Sequence, residues 1–145
     1  HAAGKITLFF VAGAIYVGAN ISKISELNGQ GKSMPLVFLA FFIGALSIIG
    51  VPPMGGSWSK LFLMMGAVES DYLFVIIVLC ISTILNVYYL MEIPARAFFS
   101  KKIKNIDVKV PNLMIIPTMI TCFLTIILFF YIEPFKNLTL LMVGK

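Results

Sequence analysis

Long apolar stretches alternate with short polar ones along this chain, and the alternation divides it into four hydrophobic units. The first runs from about Ala2 to Ser22, with Lys5 as its only charged residue. A polar connection follows over 23–33, carrying Lys23, Glu26, Lys32 and the turn-forming run Asn28-Gly29-Gln30-Gly31. The second unit covers about 34–68 and starts at Met34-Pro35, with proline at a tolerated first-turn position. It is interrupted over 52–56: two prolines remove backbone donors, and Gly55-Gly56 permits unusual dihedrals. At about 1.5 Å per residue the whole unit is too long for one straight crossing of a ~30 Å hydrocarbon core. The pattern therefore predicts a discontinuous helix, two halves joined by an unwound centre. The alternative is a full helix, a surface loop at Pro52–Gly56 and a short re-entrant helix.

A third span is expected over 72–99, passing through Pro94, and a fourth over 112–132, bent at Pro117. The basic connection from Arg96 to Lys109 lies between them, and a short tail, Glu133 to Lys145, ends the chain. The predicted fold is all-α: a polytopic transmembrane helix bundle of about four spans, one of them broken, forming a single transmembrane domain over 1–145.

Composition narrows the class. With 60% hydrophobic residues, a mean hydropathy of +1.03 and 12% charged residues, the chain reads as a membrane protein and not a soluble domain. Its net charge of +5 suggests a nucleic-acid partner, but the basic residues cluster in two short connections, the pattern of topology determinants, so none is expected. One side receives Lys23, Lys32, Arg96, Lys101, Lys102, Lys104 and Lys109; the other receives Glu69, Asp71, Lys136 and Lys145. The positive-inside rule then places loops 23–33 and 100–110 in the cytoplasm, and the protein in the cell (inner or plasma) membrane. His1 opens in what reads as the body of a helix, without a charged leader or cleavage site, so the chain is expected to be a piece of a longer protein.

Lys60 is the residue that needs explaining. No side chain from Ser33 to Ser59 is charged, and Lys60 follows Gly50-Val51-Pro52-Pro53-Met54-Gly55-Gly56 directly after Ser57-Trp58-Ser59. An ionisable group at the bilayer centre costs roughly 2.5–3.5 kcal/mol on insertion scales, so it is retained mostly for ion or proton movement. Ser57, Ser59 and the freed carbonyls of 52–56 are expected to hydrate and orient it. His1 and Lys5 stand four apart, on one helical face. With ordered water they would make a segment of a proton wire; otherwise Lys5 snorkels to the interface.

Other polar residues receive structural readings. Glu92 and Arg96, acid first and four apart, are expected to form an interfacial ion pair. Asn86, Ser82 and Thr83 are expected to hydrogen-bond between helices. Cys80 and Cys122 have no metal-ligand spacing and read as packing residues. No phosphate-binding loop, metal cluster or nucleophile triad is visible, so no active-site chemistry, metal or cofactor is expected on this chain.

Two blocks carry a resemblance. His1-Ala2-Ala3-Gly4-Lys5 with Leu8-Phe9 and Ala12-Gly13 resembles a His-Ala-x-x-Lys…Leu-Phe…Ala-Gly segment. Met34-Pro35, Gly44-Ala45-Leu46-Ser47, Gly50-x-Pro52-Pro53 and Gly56-x-x-x-Lys60 follow in the same order and spacing. Both are similar to the antiporter-like membrane subunits shared by respiratory complex I, Mrp-type cation/proton antiporters and membrane-bound hydrogenases. The resemblance implies two inverted half-channel repeats, each with a broken helix and a midplane lysine. Lys60 then looks like the lysine of the second broken helix, with Gly50, Pro52, Pro53, Gly55 and Gly56 as its hinge. Lys5 and His1 look like the charged and relay residues of the preceding helix. Gly4 replaces a bulkier residue of the pattern, and Ser57-Trp58-Ser59 replaces a Phe-rich lead-in. Ile81-Ser82-Thr83-Ile84-Leu85-Asn86 and Ala97-Phe98-Phe99 resemble the Mrp D-type subunit more than a complex I subunit.

The expected function is a proton/cation-translocating subunit of a multisubunit Na+(K+)/H+ antiporter. The alternatives are a proton-pumping subunit of NADH-quinone oxidoreductase or a related hydrogenase complex, and a structural membrane subunit. The implied partners are other membrane subunits, the lipid bilayer, H+ and either Na+ or K+.

Overall fold

The computed structural model describes residues 1–101 and 109–143, and among them every regular element is helical. In chain order these are α1 (Ala2–Ala19), α2 (Pro35–Ile49), α3 (Gly56–Glu69), α4 (Leu73–Phe99), α5 (Asn112–Phe130) and α6 (Glu133–Val143). Two short 3-10 turns, Ile24–Leu27 and Gln30–Lys32, occupy the connection after α1. The helices stop where the sequence supplies left-handed caps. Asn20 (φ 53°) donates its N–H to Tyr16 O at the end of α1, and Gly50 (φ 88°) donates to Leu46 O at the end of α2. Pro35 starts α2 at a position where a missing N–H costs nothing.

Among the described residues three helices are long and apolar enough to cross a membrane: α1, α4 and α5. The apolar α2 is shorter, and its 15 residues reach only about 22 Å, less than the hydrocarbon thickness. Together with α3 it forms the second hydrophobic unit, with 50–55 between the two halves.

The core sits where α1 packs on α2 and α5. Val11, Ala14, Phe38, Ala40 and Ala45 are fully buried there. Small residues set the helix separation, as they do in membranes, where lipid supplies no hydrophobic drive between helices. A Cβ on Gly4 would stand 3.2 Å from Ser47 Oγ, so the departure from the family pattern at this position lets α1 lie close on α2. By contrast α4 touches the core mainly through Leu90 and Ala97, and large side chains such as Phe74, Ile77 and Ile84 are exposed along it. Such faces suit lipid or further helices.

Several local expectations are corrected. The first span, expected to about Ser22, ends as a helix at Ala19, while the tail carries α6 over Glu133–Val143. The hydrogen bond at Asn86 is local, received from Tyr89 Oη within α4, because the two residues stand one turn apart. Ser82 is exposed. Arg96 pairs with Glu92 at 2.7 Å as expected, both being partly exposed. The 23–33 connection is tied to α4 by the Gly29 N–H donating to Arg96 O at 3.1 Å. Lys102, Lys104 and Lys145 of the charge count lie outside the described residues, as does most of the 100–110 loop.

Candidate functional site: a lysine at the helix break

Proline chemistry creates the site. In a continuous helix, Ile48 and Ile49 would pass their carbonyls to the N–H groups of residues 52 and 53. Both positions are proline, so neither donor exists and α2 must stop. The chain then turns: Val51 N–H reaches back to Leu46 O, Met54 N–H donates to Val51 O, and Ser57 Oγ donates to Met54 O at 2.8 Å. Restarting the helix at Gly56 brings its backbone against α2. A Cβ at Gly56 would lie 1.8 Å from Ser47 O, so only glycine fits there.

Two contacts fasten the restart to α5. Gly55 N–H donates to Thr125 O at 3.1 Å, and Trp58 Nε1 donates to Phe129 O at 3.0 Å while its ring packs on Phe129 and Phe62. Trp58, where the family pattern is Phe-rich, thus has a specific use: its N–H satisfies a carbonyl that Phe could not reach.

Lys60 then projects across the break. Its Nζ donates to Ile49 O at 2.6 Å and to Thr83 Oγ1 of α4 at 2.9 Å. The first acceptor is the carbonyl that Pro53 left without a donor. It also lies in the last turn of α2, where the aligned peptide dipoles present their negative end to a cation. Thr83 gives its own proton to Leu79 O at 2.8 Å, so it offers Lys60 a lone pair. Gly50 makes room for the lysine stem, since a Cβ there would approach Lys60 Cδ to 2.8 Å. Neither partner is an acid: carbonyl and hydroxyl dipoles hold the ammonium, leaving its third N–H unengaged among the described residues. The group borders a cleft of about 650 Å³ between α3 and α4, with Leu79, Thr83, Ile84 and Phe129 among its walls.

His1 and Lys5 are placed differently. His1 borders a separate cleft of about 230 Å³ with Ser47, Gly56, Ser59 and Thr125, around the same break. Lys5 is exposed on α1, and its side chain has no hydrogen-bond or ion-pair partner among the described residues. The structure therefore draws His1 and Lys60 towards the break from two clefts, and does not join Lys5 to either. The hinge set Gly50, Pro52, Pro53, Gly55 and Gly56 all falls within or beside the interruption. The expected partners of Lys60 change, however. Ser57 is occupied with Met54 O, and the carbonyl used is Ile49's, before the 52–56 segment. Counting back four residues from Pro53 identifies that carbonyl from sequence. Thr83 has no such signal, because only packing decides which polar residue of α4 faces α3.

An apolar helical bundle with an interrupted helix and an ammonium held by main-chain carbonyl and hydroxyl at the interruption defines a class: multi-pass membrane proteins with an ionisable group at a helix break. More particularly, residues 1–86 match the family model described as NADH:quinone oxidoreductase/Mrp antiporter, TM, and the chain belongs to that family. The N-type subunit of NADH-quinone oxidoreductase from Desulforudis audaxviator is 36% identical over 68% of this chain and 20% of its own length. The D-type subunit of the Na(+)/H(+) antiporter from Alkalihalophilus pseudofirmus is 30% identical over 92% of this chain and 28% of its own length. The N-type oxidoreductase subunit of Campylobacter fetus is 38% identical over 65% of this chain and 20% of its length. The chain thus spans between a fifth and about a quarter of the length of these curated relatives.

Proposed function

We propose that this chain is part of a proton/cation-translocating membrane subunit in which Lys60 takes up and releases the translocated proton, with His1 and Lys5 on the same route. The observation that carries the reading is the bridge from Lys60 Nζ to Ile49 O and Thr83 Oγ1 across the helix break. Both acceptors hold the ammonium, and its remaining N–H direction supplies a path for exchange with water in the adjoining cleft. The break provides the irregular backbone that a membrane tolerates only where it is buried in protein or lines a cavity.

The parent is read as a subunit of a multisubunit Na+(K+)/H+ antiporter in the cell membrane, with loops 23–33 and 100–110 cytoplasmic. The match to the D-type antiporter subunit supports this, because it runs through 92% of the chain. A second reading, a proton-pumping subunit of NADH-quinone oxidoreductase, is supported by the higher identity of the Desulforudis audaxviator and Campylobacter fetus subunits. The experiment uses the full-length parent with its partner subunits in inverted vesicles from an antiporter-deficient host. A sodium-induced recovery of a pH-sensitive dye that disappears in Lys60→Ala supports the antiporter reading. NADH-driven acidification that needs Lys60, without a sodium response, assigns the parent to the oxidoreductase. Transport that Lys60→Ala leaves intact in both assays contradicts translocation through Lys60.

A further inference from the structure

A second place on the molecule joins apolar and basic chemistry, away from Lys60. Between α2 and α4 runs a groove of about 570 Å³ whose walls include Leu39, Phe42, Met91, Ala95 and Phe99. Its lining is almost wholly apolar, as for a slot that faces hydrocarbon. One end of the groove meets a second pocket of about 340 Å³, lined by Gly29, Lys32, Ser100 and Lys101. Phe98 lines both, so the apolar slot and the basic pocket adjoin on its two sides. The Phe98 ring is fixed between them: it meets Phe38 edge-on at 6.1 Å, and a Cβ on Gly31 would come within 2.7 Å of its Cδ1. The wall is therefore built into the fold.

The charges at the head end have no acidic partner among the described residues. Lys32 and Lys101 are exposed, and neither has an ion-pair partner among the described residues. Among the described residues no acidic side chain lines either pocket, and Glu92 on α4 is engaged by Arg96 at 2.7 Å. An apolar slot that ends in two unneutralised ammonium groups has the polarity of a phospholipid with an anionic head. Basic pockets between transmembrane helices on the cytoplasmic side favour such headgroups, and the positive-inside count puts this end on that side. A neighbouring helix would fill the slot equally well but would match both lysines only if it carried acids at that end.

We infer that the α2–α4 groove binds an anionic phospholipid, its acyl chain along Phe42, Met91 and Phe99 and its phosphate between Lys32 and Lys101. The site lies apart from the Lys60 cleft and does not depend on the transport reading. The test reconstitutes the full-length parent complex into phosphatidylcholine vesicles doped with a photoactivatable phosphatidylglycerol or, separately, a photoactivatable phosphatidylcholine. Lipid adducts are then mapped by peptide mass spectrometry. The expected result is phosphatidylglycerol labelling of α2 and α4 groove residues in the wild type, in excess over phosphatidylcholine. That labelling falls roughly thirtyfold in the Lys32→Gln/Lys101→Gln variant, on the scale of two lysine–headgroup attractions. Ala95→Trp, which fills the slot from an exposed position and keeps both lysines, also loses it. Equal labelling by the two lipids in the wild type overturns the anionic specificity. No labelling of the groove by either lipid shows that protein covers it, and overturns the site.

Discussion

The two lysines of the apolar helices, Lys60 and Lys5, meet very different surroundings. Lys60 has a main-chain carbonyl and a hydroxyl at hydrogen-bond distance, a glycine that clears its stem, and a cleft beside it. Lys5 stands exposed on α1 with no hydrogen-bond or ion-pair partner among the described residues. Lipid is a poor host for either charge. The difference lies in what each lysine meets: α2 and α4 supply hydrogen-bond acceptors for Lys60, and α5 adds Phe129 to the wall of its cleft. Carrying the motif is thus not the same as carrying its environment.

The largest expected effect is at the close approach that sets the Lys60 side. Gly56→Ala places a Cβ on the Ser47 carbonyl, where a rigid backbone cannot yield as a side chain would. The cost should exceed the ~1–3 kcal/mol of ordinary overpacking, and the parent should lose assembled complex on native gels. Next comes Thr83→Val, which keeps the shape and removes one of the two acceptors for Lys60. Hydrogen bonds to charged groups contribute about 1.5–3 kcal/mol, so the transport rate should fall by at least about tenfold with the complex still assembled. An unchanged rate would break the contrast between the lysines.

Trp58→Phe keeps the ring packing and deletes the bond to Phe129 O. A loss of about 1 kcal/mol in thermal stability is expected, on the scale of polar contacts between membrane helices. Lys5→Gln sharpens the comparison from the other side. In a detergent-solubilised protein limited to these helices it should leave folding contacts unaltered, whereas in the full parent it should slow transport. The smallest effect belongs to Glu92→Gln, which breaks a partly exposed ion pair and should change stability by no more than about 0.5 kcal/mol.

Much of this architecture is legible in the residues themselves. Hydropathy and helix length mark the long spans, and Pro52-Pro53 marks the interruption, because a missing N–H is a local fact. The acceptor for Lys60 is legible too, once the i to i+4 pairing is followed back from Pro53 to Ile49. Thr83 is not, since Ser82, Thr83 and Asn86 are equivalent until the packing of α4 against α3 selects one. The helical character of 133–143 is also hidden, Glu133-Pro134 reading equally well as a helix start or an extended tail. Gly4 and Trp58, which look like departures from the family pattern, become understandable only from their neighbours, Ser47 and Phe129.

The central claim is that Lys60 must change its protonation during transport, beyond carrying a charge at the break. Replacing it by arginine separates the two, because guanidinium keeps the positive charge and the donors but does not deprotonate in proteins. The measurement is the initial transport rate of Lys60→Arg beside Lys60→Ala, in full-length parent complexes shown to assemble equally. The account predicts that arginine is as inactive as alanine. A rate for Lys60→Arg close to the wild type would contradict it and leave Lys60 as a fixed structural charge.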